Sequence, residues 1–158
     1  MTDQDRGADV TLRPFHDDDV GLLGVLFGAG RASMELFEEP YTTGEHIGYI
    51  AGLSVGCVIT VAEKGGAPVG FLSYAKKPND KAGLISHIFV DPKHQHQGIG
   101  RLLLRDALAR FPRPLELWCF EANTRARALY ETEGFVAAER TDGSNNDEKL
   151  PDIRYELR

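Results

Sequence analysis

Cysteine is scarce. Two thiols, Cys57 and Cys119, occur in 158 residues, both inside apolar runs. That excludes a disulfide-stapled scaffold and a cysteine-rich metal module, and it fits a reducing compartment. No apolar stretch reaches the roughly 20 residues a bilayer-spanning helix needs. The opening Met1-Thr2-Asp3-Gln4-Asp5-Arg6 is polar and lacks the apolar centre of a signal peptide. Positive charge is also short: 18 Lys and Arg stand against 24 Asp and Glu, a formal charge of −6 with neutral histidines. A general nucleic-acid binder is therefore not expected, and cationic or neutral partners are favoured. What is present is ordinary globular material, 42% hydrophobic and 27% charged. It is too apolar for a disordered chain and long enough to bury a core of its own. The expectation is one cytoplasmic domain over 1–158, with 1–8 a polar tail and no membrane contact.

Val10-Thr11-Leu12-Arg13 alternates up to Pro14 and reads as a first strand. Acids at 17–19 precede Val20, Leu22, Leu23, Leu26 and Phe27 at near-helical spacing, diluted by Gly21, Gly24 and Gly28. Residues 42–54 read as a second, poorer helix. Cys57 to Val61 and Val69 to Tyr74, around Gly65-Gly66, form a hairpin pattern. Leu84 to Val90 is apolar apart from Ser86 and His87, which predicts a strand buried on both faces. Simple alternation would put Leu84, Ser86, Ile88 and Val90 on one face and Ile85, His87 and Phe89 on the other. Gly98 to Phe111 is amphipathic at helical spacing, and Leu115 to Phe120 is a strand. Thr124 to Glu133 is a helix stopped by Gly134, and Phe135-Val136 and 153–157 supply the last strands. The order β α α β β β α β α β β predicts a mixed α/β fold, largely antiparallel in its first half.

The segment Val90-Asp91-Pro92-Lys93-His94-Gln95-His96-Gln97-Gly98-Ile99-Gly100-Arg101 runs from strand through loop into helix. Gly98 and Gly100 let backbone N–H groups approach a bulky anion. Unpaired first-turn N–H groups and the helix dipole make an anion site, with Lys93, His94, His96 and Arg101 as a cationic fringe. The same residues also read as a glycine-capped turn that binds nothing. Two other phosphate motifs fail: Leu103 stands where a dinucleotide fingerprint needs its third small residue, and no Gly-Lys-Ser/Thr occurs.

Gln95-His96-Gln97-Gly98-Ile99-Gly100 is similar to the Gln/Arg-x-x-Gly-x-Gly/Ala signature of the GNAT superfamily of acyl-CoA-dependent N-acetyltransferases. Asn123, Ala126, Leu129, Tyr130 and Gly134-Phe135 resemble the Asn-x-x-Ala-x-x-Leu-Tyr-x-x-x-Gly-Phe pattern of that superfamily. The resemblance is strong from 84 to 136 and rests on element order before that. Residues 141–155 resemble a subgroup of small bacterial members without an assigned substrate. The resemblance implies a central, mostly antiparallel sheet split between strands four and five, with helices on both faces and acetyl-CoA in the split. The pantetheine arm would pair with the backbone of Ile88, Phe89 and Val90. The pyrophosphate would sit on backbone N–H groups of Gln97, Gly98, Ile99, Gly100 and Arg101, with Gln95 and His96 in the same loop. Changes at Gly98 or Gly100 should then matter more than side-chain swaps. Asn123 would hold cofactor or order its helix start, and Tyr130 would protonate the departing CoA thiolate.

The attacking amine poses the harder problem. A lysine-like amine of pKa about 10.4 is neutral about once in 2,500 molecules at pH 7, roughly 4.6 kcal/mol against attack. Bases in the resembling family often lie on the face where this chain offers only Ser86. The candidates are His87, which titrates in a suitable range, and Glu121 working through a water. A lone histidine in an apolar strand such as His87 is nevertheless more often a hydrogen-bonded core residue. Glu35, Glu38 and Glu39 read as acceptor-pocket residues or as a solvated surface. Asn145-Asn146-Asp147-Glu148 reads as a flexible hairpin tip or as a loop that closes over the acceptor. An acetyl-carrying Cys119 and a metal set of His87, His94 and His96 are weaker alternatives, and no metal is expected. The expected function is direct acetyl transfer to a primary amine, with a small-molecule acceptor first. A protein amine and a non-catalytic acyl-CoA sensor are the alternatives, and a homodimer is compatible with each.

Overall fold

The computed structural model describes residues 9–78 and 81–158, so the expected tail 1–8 lies outside the described residues. The elements follow the predicted order. They are β1 (Val10–Pro14), α1 (Val20–Ser33), α2 (Thr43–Gly56), β2 (Val58–Lys64), β3 (Ala67–Lys76) and β4 (Gly83–Val90). After these come α3 (Ile99–Arg110), β5 (Leu115–Phe120), α4 (Thr124–Thr132), β6 (Val136–Thr141) and β7 (Asp152–Leu157). The strands form one sheet in the order β1-β2-β3-β4-β5-β7-β6. Among the described residues only β4 and β5 pair in parallel.

Local chemistry accounts for the joints. Gly65 and Gly66 adopt φ of 59° and 80°, the double positive φ that a tight two-residue hairpin turn requires. Thr42 caps α2: its hydroxyl accepts from Glu45 N–H at 3.1 Å, and the Glu45 carboxylate accepts from Thr42 N–H at 3.3 Å. The acids before α1 form a separate 3-10 turn over Asp17–Asp19. Asp19 turns inward from it and takes two hydrogen bonds of 2.8 Å from Arg13, which hold its carboxyl below the usual range. Two of the glycines that dilute α1, Gly24 and Gly28, lie against Ile47 and His46 of α2. A Cβ at Gly24 would stand 2.6 Å from the Ile47 Cα, so a larger residue would force the helices apart.

The sheet is covered on both faces. On one, Leu23, Leu26, Phe27 and Ile50 of α1 and α2 pack on Ile59, Val61 and Phe71. On the other, Ile99, Leu103, Leu104 and Tyr130 of α3 and α4 pack on Leu72, Ile85, Leu117 and Ile153.

Strand β4 departs from expectation twice. It is not buried on both faces: only Gly83 and Ile85 are, and the rest is half-buried. Its pairing with β5 stops after Gly83–Leu115 and Leu84–Glu116, so residues 85–90 present an open edge. Alternation also breaks. Ser73 pairs with His87 and Tyr74 with Ile85, which leaves Ser86 as an extra residue, a β-bulge. Beyond it the faces exchange, so Ile85 packs in the α3/α4 core beside Ile88 and Val90. His87 and Phe89 lie against Phe27 of α1 instead.

Candidate active site

Where β4 and β5 part, a cleft of about 280 Å³ opens between them. Ile88 and Phe89 line it, and Val90 continues the open edge beyond. An unpaired parallel edge of this kind accepts an extended chain carrying amides, because its N–H and C=O groups repeat at strand spacing. Asn123 and Tyr130 of α4 line the opposite wall. Asn123 caps its helix through Oδ1, which accepts from Ala126 N–H at 3.3 Å. Tyr130 is 9% exposed, and burial holds its phenol above the ordinary tyrosine range. Among the described residues its hydroxyl has no hydrogen-bond partner. Cys119 shares that wall, and burial pushes its thiol up to about 12. At neutral pH it is a protonated thiol and a poor nucleophile.

The glycine loop follows the open edge of β4 and leads into α3. Gly98 caps α3 with φ 81° and ψ 10°. The first intrahelical bond is Leu102 N–H to Gly98 C=O at 3.0 Å, so the N–H groups of Ile99, Gly100 and Arg101 precede it. A Cβ built at Gly98 would meet nothing, and one at Gly100 would meet only Leu129 and Val90 at 3.7 and 3.9 Å. The space an anion would take is therefore open, and Gly98 is the position whose backbone demands glycine. The side chains around it are tied elsewhere. Gln97 accepts from Lys64 at 3.3 Å, His96 Nε2 lies 2.7 Å from Arg125, and Arg101 faces Glu133 at 3.5 Å.

A second cavity, of about 530 Å³, lies on the α1/α2 side. Phe27, Arg31, His87 and Glu148 line both spaces and so mark their junction. His87 Nε2 stands 3.0 Å from the Tyr49 hydroxyl, and Nδ1 stands 3.0 Å from Ser73 Oγ. Burial first, and the charge of Arg31 second, lower its pKa to about 4. The ring is therefore neutral at pH 7. Both sequence readings of His87 meet here, since it is a bonded, half-buried residue that also borders both cavities.

Arg31 and Tyr49 had not been singled out from the sequence. Arg31 is only 11% exposed and pairs with Glu39 at 2.7 Å and Glu148 at 2.9 Å. Its guanidinium also lies 4.7 Å over the Phe37 ring. The available signal was its isolation: it is the single charged residue in the fourteen of α1. Glu39 borders the site through Arg31, whereas Glu35 and Glu38 line neither cavity. The segment 145–148 is no free tip. Asn146 donates to Leu150 C=O at 2.7 Å, Asp147 accepts from the Tyr41 hydroxyl at 3.1 Å, and Glu148 reaches Arg31. Asp147 and Glu148 line the second cavity, and Asn146 and Glu148 the cleft. Glu121 lines neither cavity and pairs on the surface with Arg140 at 2.8 Å. His87, His94 and His96 do not converge, and no group of three metal-ligating side chains forms among the described residues.

Residues 30–135, which hold the β4 edge, the glycine loop, β5 and α4, match the model of the Acetyltransferase (GNAT) family. Over 88 residues the chain is 34% identical to "Probable N-acetyltransferase Rv2775" of Mycobacterium tuberculosis. That match takes in 54% of this chain and 51% of the relative, so it spans about half the relative's length. Solved structures repeat the whole architecture. The ribosomal-protein-S18-alanine N-acetyltransferase of Escherichia coli superposes with a TM-score of 0.75 at 21% identity, over 94% of this chain and 92% of that one. Salmonella typhimurium yncA, solved with its cofactor acetyl-CoA, superposes with a TM-score of 0.72 at 16% identity, over 94% and 93%. At such identities the likeness is one of fold. Taken with the family match over most of its length, it means that this chain belongs to the GNAT family of acetyltransferases.

Proposed function

We propose that the protein moves an acetyl group from acetyl-CoA to a primary amine by direct attack, with Tyr130 serving the departing sulfur. The observation that carries this reading is the partnerless Tyr130 hydroxyl in the wall that faces the open edge of β4. When bound, acetyl-CoA supplies the activated acyl carbon. The N–H groups of Ile99, Gly100 and Arg101 would bind its diphosphate, and the edge at 88–90 would orient its amide arm. The amine reaches the acyl carbon from the second cavity, through the junction at Phe27 and His87. A C–N bond forms, the C–S bond breaks, and the Tyr130 O–H hydrogen-bonds or protonates the sulfur. The nitrogen loses its extra proton to solvent.

His87 is not a base matched to neutral pH, because a good general base has a pKa near the working value. Catalysis would then rest on positioning and charge stabilisation, with the unprotonated fraction of the amine setting the rate. The second cavity, about 530 Å³, has the size of a small-molecule site, which favours a small acceptor. A domain that only sensed acyl-CoA would need no hydroxyl at the sulfur position.

The test is CoA release from acetyl-CoA across a panel of small amines, amino acids and lysine peptides, with Tyr130→Phe beside the wild type. The expected loss in kcat is about 100-fold, a typical value for a general acid, with acetyl-CoA affinity changed less than about twofold. Equal kcat in the two forms would remove Tyr130 from the mechanism.

A further inference from the structure

Resting on the amine-acetylation reading, we infer that the Tyr49 oxygen accepts an N–H of the attacking amine. Its own proton is turned onto His87 by a hydrogen-bond chain that runs through Ser73 and Ser86. The chain has three links. Tyr49 Oη stands 3.0 Å from His87 Nε2, Ser73 Oγ 3.0 Å from His87 Nδ1, and Ser73 Oγ 2.6 Å from Ser86 Oγ. Ser73 is fully buried, His87 borders both cavities, and Tyr49 lines the second. The Tyr49 hydroxyl therefore stands at the junction of the two spaces. The bulge of β4 builds this arrangement. Ser86 and His87 are neighbours in sequence, yet both reach Ser73, which plain alternation would forbid.

The direction of the chain follows from counting protons. The neutral His87 ring carries one N–H, so one of its nitrogens donates and the other accepts. A phenol is a better donor than a serine hydroxyl, and an imidazole nitrogen is a better acceptor than a phenol oxygen. The bare nitrogen therefore belongs to Tyr49 and the N–H to Ser73. Nε2 accepts from the Tyr49 hydroxyl, Nδ1 donates to Ser73 Oγ, and Ser73 passes its single proton to Ser86. Burial holds the Tyr49 phenol above its ordinary range, so it keeps its proton in that bond. Toward the cavity Tyr49 then presents lone pairs only.

That polarity suits a nucleophilic amine. Its single lone pair must point at the acyl carbon, and a hydroxyl proton aimed at the nitrogen would compete for that pair. An oxygen acceptor engages an N–H instead and leaves the pair free. The bond strengthens as the C–N bond forms and positive charge builds on nitrogen, so it favours the transition state over the bound amine. Tyr49 keeps its proton throughout, the C–S bond breaks, and the surplus proton of the nitrogen leaves to solvent. His87, Ser73 and Ser86 are positioning residues that act through Tyr49.

The test joins ring-nitrogen NMR of His87 to steady-state kinetics. The wild type should show the Nδ1–H tautomer. Ser73→Ala removes the acceptor that holds the proton on Nδ1, so the Nε2–H tautomer should appear. Tyr49→Phe keeps the ring that stacks on Phe27 at 5.3 Å and loses only the oxygen. Its kcat should fall about 10- to 30-fold, with KM for the amine raised less than about threefold, because the lost bond matters most in the transition state. Ser73→Ala should lower kcat as well, and the double variant should be no worse than Tyr49→Phe alone, since both changes act at one oxygen. An Nε2–H tautomer in the wild type, a tautomer unmoved by Ser73→Ala, or equal kcat in Tyr49→Phe would overturn the inference. Should no amine be acetylated, the acetylation reading is what fails, and the NMR decides the Tyr49 inference by itself. The CoA-saturated protein is titrated with a weakly basic fluoroalkylamine that is neutral at about pH 8. A shift of the Nε2 signal that is lost in Tyr49→Phe supports the inference, and a signal unmoved in the wild type ends it.

Discussion

Gly98 offers a perturbation whose cost can be worked before it is measured. Its φ of 81° lies in the left-handed region, and a Cβ there would touch nothing, so the demand for glycine comes from the backbone alone. Alanine in that conformation is disfavoured by about 1–2 kcal/mol. Gly98→Ala must meet this cost in one of two ways. If the loop keeps its shape, the fold loses about 1–2 kcal/mol and Tm drops about 2–8 °C for a domain of this size. If the loop relaxes, the N–H groups of 99–101 leave their alignment, and acetyl-CoA must restore it at the same cost. Kd then rises about 5- to 30-fold. Gly98→Asn, which tolerates this conformation better, should recover part of either loss. Gly100→Ala is the contrast, since its Cβ has room at 3.7 and 3.9 Å and alanine suits a helix better than glycine. It should melt no lower than the wild type and bind acetyl-CoA within about twofold of it. Thermal melts and titration calorimetry with acetyl-CoA read both quantities without any acceptor. A Gly98→Ala protein that melts and binds like the wild type would refute the reasoning, and so would a Gly100→Ala protein as impaired as Gly98→Ala.

Three other outcomes follow from the charges. With His87 neutral and its pKa near about 4, kcat/KM for an acceptor of pKa about 10.4 should climb roughly tenfold per pH unit from 6 to 9. A plateau setting in near pH 7 would show instead a well-matched enzyme base. Arg31→Leu strands Glu39 and Glu148 at 20% and 12% side-chain exposure. It should cost about 2–3 kcal/mol, less than a fully buried pair, and raise KM for the amine, read by denaturant titration and steady-state kinetics. Asp19 has its pKa depressed in the fold, so its pairing with Arg13 stabilises fully above about pH 4 and is lost as pH falls through the lower folded value. The Tm gap between wild type and Asp19→Asn should accordingly be wide at pH 7 and narrow at pH 2.5.

The parts of this protein that were legible in its sequence are those fixed by local chemistry. Element order came from periodicity and from glycines at obligate turns, and the loop at 95–101 and the helix at 124–132 came from spacing. What escaped was set by contacts distant in sequence. The bulge at Ser86 leaves no local mark, because it exists only in the register of β4 against β3. The alternation rule therefore assigned Ile85 to the wrong face. Asp147 and Glu148 look like solvated tip residues until the fold brings them to Tyr41 and Arg31, more than 100 positions away. Burial of β4 was overstated for a related reason. Its apolar run resembles a core strand because its inner residues face helices on both sides, while its edge is left open to the cleft.

Cys119 also acts as a gauge for the proposed chemistry. A phenol held well above the ordinary tyrosine range would be a poor acid for a thiolate of ordinary basicity near 8.5, since full transfer would be steeply uphill. Yet Cys119 is itself a thiol in the wall of the same cleft, and burial carries it to about 12. The same desolvation would act on the CoA sulfur as it acquires charge beside Tyr130. Donor and acceptor would then rise together, and the hydrogen bond between them would stay close to matched. The Tyr130→Phe penalty should therefore depend on the leaving group. With acetyl-CoA it should be full. With an acetyl thioester of a more acidic thiol, such as an aryl thiol appended to a truncated pantetheine arm, the thiolate needs less help and the wild-type-to-variant ratio in kcat should shrink. Single-turnover rates with both donors and one amine measure that ratio directly. A ratio indifferent to thiol acidity would mean that Tyr130 shapes the cleft without serving the sulfur.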